Sequence, residues 1–128
     1  MERSFKVKTF ERWMRKTSLT DAMLRVAVEE MSRGLIDASL GGHLVKKRVA
    51  RTGYGKRSGY RTIVAKKAGQ HWFFLFGFQK NDRSNIDQLE LRVLQEIGAT
   101  FLAFTDAELK HALQRGELLE IINDNQKD

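Results

Sequence analysis

Trp72-Phe73-Phe74-Leu75-Phe76-Gly77-Phe78 is apolar at every position, so an extended segment here would be covered on both faces. Such a run reads as the buried central strand of a sheet, and its aromatic rings as core. The residues before it supply its neighbours. Tyr60 to Lys67 reads as a strand that turns at Ala68-Gly69-Gln70. Val45 to Ala50 reads as another, with Val45, Lys47 and Val49 on one face and Lys46 and Arg48 on the other. Arg51 to Gly59, rich in glycine and cations, is the turn between them, and Gly41-Gly42 opens the sheet region. Three successive strands with short connections predict an antiparallel meander.

Helical spacing flanks this block. Phe5-Lys6-Val7-Lys8 alternates as a short first strand would, and from Thr9 onward Phe10, Trp13 and Met14 fit one helical face. Ser18 is a candidate N-cap for a second helix bearing Leu19, Ala22, Met23, Val26, Ala27 and Met31, which ends near Gly34. The two would pack as a helical hairpin. After the sheet, Ser84 or Asn85 could cap a helix carrying Ile86, Leu89, Val93, Leu94, Ile97, Phe101 and Leu102 on its apolar side. Thr105-Asp106-Ala107-Glu108 fits a capping box for a last helix ending at Gly116. Leu118 to Ile122 is an apolar patch that could dock on the body or grip a partner, and residues 123–128 are expected to fray. The class is α+β: an N-terminal helical hairpin on a small, mainly antiparallel twisted sheet, with C-terminal helices. At 128 residues, without linker or repeat, one domain spanning 1–128 is expected.

With no cysteine in the chain, disulfides, thiolate metal sites and thiol nucleophiles are excluded. His43, His71 and His111 lack metal-ligand spacing, so neither a metal nor another cofactor is expected. No apolar run approaches the ~20 residues of a spanning helix, and the N-terminus carries no apolar signal core. A cytoplasmic protein with no membrane partner is the expectation.

Charge is far from evenly spread. Between Ala38 and Asn81 there are ten Lys and Arg residues and no Asp or Glu, so the net charge of +7 is concentrated on the sheet. A packed surface of guanidinium and ammonium groups without carboxylates suits a polyanion, nucleic acid first. In Gly53-Tyr54-Gly55-Lys56-Arg57-Ser58-Gly59-Tyr60-Arg61 the glycines let backbone amides approach phosphate. Lys56, Arg57 and Arg61 can bind its oxygens, and Tyr54 and Tyr60 could stack on bases. The loop does not match GxxxxGK[ST] and leads into a strand, so it is not a nucleotide-binding P-loop. His43 or His71 could serve as a general base, but a lone histidine by a glycine turn or a strand edge is more often structural.

Taken together, the order of elements and three segments resemble the RelE/ParE toxin superfamily, in particular its HigB-like RelE branch. The segments are Gly41 to Ala50; Gly55-Lys56-Arg57-Ser58-Gly59-Tyr60-Arg61-Thr62, against a family form GKxGGxR; and Phe76 to Ile86, against GFxKNxRxNI. Ser58 stands where the family form has glycine. The resemblance covers roughly Phe5 to Ile122 and implies a RelE-like fold. It also implies metal-independent mRNA cleavage, usually at the ribosomal A site, by attack of a ribose 2′-OH on the adjacent phosphodiester. Carried over residue by residue, the catalytic cations would be Lys46, Arg48, Lys56, Arg61 and Lys80. Lys47, Arg51, Tyr54, Arg57 and Tyr60 would add RNA contacts. A lysine set among cations can act as a base, which suits Lys46 or Lys56 for the 2′-OH proton, with Tyr60 or His43 as other candidates. Known RelE enzymes place an arginine and a tyrosine where this chain has Asn81 and, approximately, Asp87.

The implied partners are mRNA on the ribosome and a cognate antitoxin, usually a small protein with a helix-turn-helix DNA-binding domain. Two other readings are a ParE-like inhibitor of DNA gyrase and a non-catalytic nucleic-acid-binding module. ParE branches generally lack the cations present here at 46, 48, 56 and 61.

Overall fold

A computed structural model describes residues 2–51, 55–83 and 85–122, excluding the side chains of 51 and 55–58. In chain order the elements are β1 (Ser4–Val7), α1 (Lys8–Met14), α2 (Asp21–Ser32), β2 (Ala38–Gly41), β3 (Leu44–Arg51), β4 (Gly55–Lys66), β5 (Trp72–Gln79), α3 (Gln88–Leu102), α4 (Asp106–Gln114) and β6 (Leu118–Glu120). Among the described residues six strands form one sheet in the order β2-β3-β4-β5-β1-β6. Among the pairs of these described strands, the β1–β5 pair alone is parallel. The apolar segment that begins at Trp72 is thus interior to the sheet, and β3-β4-β5 is the expected meander.

The meander's arms are longer than glycine content suggests: Arg51 already pairs with Gly55, and 55–59 belong to β4. The glycines there did not end the strand because cross-strand pairing outweighs their weak β-propensity. Ala38–Gly41 forms a further strand that its small, short sequence does not announce. It turns into β3 through Gly41, Gly42 and His43, three successive residues with positive φ. Two glycines make that turn accessible, since only the histidine carries a Cβ penalty.

The chain opens with a strand, and no N-terminal helical hairpin stands as a separate layer. Instead α1 packs chiefly on β5 and α2 on β3. With seven residues, α1 has Phe10 and Met14 as its buried anchors, and Phe10 meets Phe74 with ring centroids 5.6 Å apart. Thr20, not Ser18, caps α2: its side chain accepts the Met23 N–H. Leu24, Ala27 and Met31 turn inward, and the helix stops just before Gly34, where φ is +87°.

Lys6 departs from simple alternation. Lys6 shares the face of Phe74, which the first two helices cover, and is only 5% exposed. Its ammonium lies 2.5 Å from Glu11 and 2.7 Å from Asp21, so the buried charge is paired and ties β1 to both helices.

On the other face, α3 begins at Asp87, which forms a capping box with Glu90. Asn85 does not cap the helix, and Ser84 lies outside the described residues. Gly98 lets α3 approach the sheet: a Cβ there would stand 3.0 Å from Leu44 and 3.2 Å from Ala65. Leu94 is buried beside it, but Leu89, Val93 and Ile97 are substantially exposed. They border a groove of about 690 Å³ with Leu75 and Phe76. The apolar stripe of α3 is therefore wider than the face the sheet covers. Thr105 and Glu108 form the expected capping box of α4. Leu118 and Ile121 dock on the body, because Leu118–Glu120 adds to β1 as an antiparallel strand. Residues 123–128, expected to fray, lie outside the described residues.

Candidate nucleic-acid interface

Residues directly opposite on neighbouring strands point to the same face of a sheet. Arg48 is opposite Arg61, which is opposite Phe78; Lys46 is opposite Ile63, which is opposite Phe76. Lys46, Arg48 and Arg61 therefore share one face, the face that α3 covers farther along at Leu44 and Ala65. Lys80 follows the end of β5 and is exposed. Of the expected catalytic cations the fold thus gathers Lys46, Arg48 and Arg61, with Lys80 at the margin. The side chains of Arg51, Lys56 and Arg57 and the whole of Tyr54 lie outside the described residues.

The two arginines differ in setting. Arg48 has a side chain 43% exposed, whereas Arg61 is 5% exposed and donates to the Gly59 carbonyl at 3.1 Å. Burial, then the neighbouring Arg48 charge, lowers the Arg61 pKa from its ordinary value, while Asp37 works against both. An arginine stays protonated in any case, and two like charges carried on one face could take up an anion.

Two expected RNA contacts must be corrected. Lys47 lies on the opposite face and is 3% exposed, with its ammonium 2.9 Å from Glu30 of α2 and 2.8 Å from the Leu35 carbonyl. Strand alternation sent it toward the helices, where burial requires a counter-charge. Tyr60 is also on that face, 2% exposed. Its ring meets Trp13 edge-on, and its hydroxyl accepts the Ser18 N–H and bonds the Ser18 hydroxyl. Neither side chain is presented to a nucleic acid on the cationic face.

The two histidines named as possible bases lie in different settings. His43 sits in the exposed turn before β3, and its carbonyl accepts the Lys66 N–H. His71 Nδ1 accepts the Arg3 N–H at 2.9 Å, and burial followed by the Arg3 charge lowers its pKa.

Two residues at this face escape sequence reasoning. Asp37, one position before the acid-free window, accepts the backbone N–H of Arg48 at 2.5 Å, and its other oxygen lies 3.7 Å from Arg48 Nε. Its signal would have been strand β2, which brings it beside β3. Arg83 extends its guanidinium over Phe76 and Phe78, 5.8 and 5.9 Å from their centroids, and makes a two-pronged pair with Glu90. Its helix partner is seven residues away in sequence, beyond any local spacing rule.

The sequence model of the family described as the RelE toxin of the RelE / RelB toxin-antitoxin system matches residues 2–121. The chain belongs to this family: it is a RelE-type toxin of a toxin–antitoxin system, and a cognate antitoxin is its partner. No curated protein matches the chain. No helix among the described residues is long and apolar enough to cross a membrane.

Proposed function

We propose that the protein is a metal-independent mRNA endoribonuclease acting in the cytoplasm at the ribosomal A site, neutralised by an antitoxin with a helix-turn-helix domain. The observation that carries this reading is the cross-strand pair Arg48–Arg61, with Lys46 two residues along the same face. Cleavage by 2′-OH attack passes through a phosphorane with extra negative charge on its nonbridging oxygens. Two planar guanidiniums carried by opposite residues of neighbouring strands can hold that charge better than they hold the ground-state diester, which is the requirement for catalysis. Lys46 is the candidate for the proton transfer from the 2′-OH; Lys56, its side chain outside the described residues, is the alternative. Lys80, exposed just beyond β5, would add a further cation at the margin of this face.

Primer extension on mRNA from induced cells tests the reading. The wild type should give discrete cleavage ends in translated messages, and the Arg48→Ala/Arg61→Ala variant should lose them while remaining folded. Undiminished cleavage by that variant would remove the assignment. Abnormal replication with a DNA-damage response, in place of message cleavage, would support gyrase inhibition. Tight, salt-sensitive RNA binding without cleaved product would leave a binding module.

A further inference from the structure

Asp37 stands where β2 has run out. The last regular pair of the outer hairpin is Ala38 with Lys46, and the Asp37 N–H closes it by donating to the Lys46 carbonyl at 2.9 Å. The next outward donor of β3 is the Arg48 N–H. No β2 carbonyl meets it; the Asp37 carboxylate does, at 2.5 Å. A side chain thereby supplies the missing rung of the ladder, and its second oxygen faces the Arg48 guanidinium. That second contact is loose. At 3.7 Å it is an ion pair without a hydrogen bond, and Arg48 Nε is buried with no hydrogen-bond partner among the described residues.

This arrangement separates two tasks. The backbone of Arg48 is locked to a charge-assisted acceptor, while the donor edge of its guanidinium is held nearby without being consumed. Asp37 also offsets the repulsion that Arg48 exerts on the buried Arg61. A carboxylate that gripped Arg48 fully would compete with phosphate, and a face without one would let the two like charges splay apart.

We propose that Asp37 is a positioning residue: it presents Arg48 beside Arg61 for a phosphate group and yields the guanidinium's donors to that phosphate when RNA binds. The inference rests on the nuclease reading for its kinetic consequence, though not for its binding consequence. Asp37 touches no reacting atom and acts through Arg48.

The experiment compares Asp37→Ala, Asp37→Asn, Arg48→Ala and the double variant Asp37→Ala/Arg48→Ala. Cleavage is followed on mRNA-programmed ribosomes, and binding with a 2′-O-methyl oligoribonucleotide that cannot be cleaved. Loss of the positioning acceptor should lower kcat in Asp37→Ala by about tenfold or more, while KM and oligonucleotide affinity hold or tighten because a negative charge has gone. Asparagine keeps an oxygen for the Arg48 N–H and should restore kcat to within about threefold of wild type. The double variant should be no worse than Arg48→Ala, since Asp37 acts through that arginine. A fully additive double variant, an unchanged kcat in Asp37→Ala, or parallel loss of kcat and affinity in both Asp37 variants would overturn the proposal. If the wild type cleaves nothing, the nuclease reading fails by itself. Oligonucleotide binding then decides: tightening in Asp37→Asn with loss in Arg48→Ala supports the assignment, and no change in either overturns it.

Discussion

Lys47 Nζ lies 2.9 Å from Glu30 Oε1 beneath α2, while its neighbours Lys46 and Arg48 in sequence face the other way. Three consecutive cations thus serve two surfaces. Removing the carboxylate should strand a buried ammonium: Glu30→Ala is expected to cost about 3 kcal/mol in urea denaturation. Lys47→Met takes the ammonium from the Glu30 carboxylate, whose side chain is 20% exposed, and from the Leu35 carbonyl, and should cost less than Glu30→Ala because the remaining charge can reach water. Its affinity for RNA should match wild type, and a large loss of RNA binding in a folded Lys47→Met protein would contradict the assigned orientation.

Trp13 closes over Gly77 so tightly that a Cβ at 77 would fall 2.2 Å from the indole. Gly77→Ala should destabilise by about 1–3 kcal/mol through overpacking. In a Trp13→Leu background the same change should cost less, because the obstructing ring is gone. Chemical denaturation of the four members of this cycle measures the coupling.

Tyr60→Phe keeps the ring against Trp13 and deletes the hydroxyl's bonds to Ser18. About 1 kcal/mol of stability should be lost. Oligoribonucleotide affinity should not change, since the ring packs between α1 and the sheet. A drop in affinity without a drop in stability would restore Tyr60 as a base-stacking residue.

Glu90 is held at a pKa of about 2, against an ordinary 4.5, first by its bonds from Arg83 and then by the Asp87 N–H. A carboxyl with a depressed folded-state pKa favours the fold when ionised. Its contribution is therefore complete above about pH 4.5 and disappears as pH falls from there through 2. Carboxyl NMR should place the Glu90 midpoint near the lower value, and Arg83→Ala should return it toward the ordinary one. An unshifted midpoint in the wild type would show that the Arg83 tie is absent in solution.

Legibility followed physical range. The β5 segment was readable because seven apolar positions in a row leave an extended strand nowhere but the interior. The α4 cap was readable because Thr105 and Glu108 satisfy each other within one turn. Strand β2 was not, since Ala38-Ser39-Leu40-Gly41 has little intrinsic preference and is a strand only because β3 pairs with it. The cap of α3 is not legible for a related reason: several polar residues precede the helix, and the Arg83–Glu90 contact helps select Asp87 among them.

At the candidate site the division is the same. Alternation in β3, legible from residue order, already separated Lys46 and Arg48 from Lys47, because successive side chains of a strand must point opposite ways. Chain order could not say that Arg61 stands opposite Arg48, that Tyr60 turns inward to Ser18, or that an aspartate just outside the acid-free window reaches the Arg48 amide. Those relationships depend on strand register and on which helix covers which face. Both are set by the packing of the whole core, to which no short stretch of sequence has access.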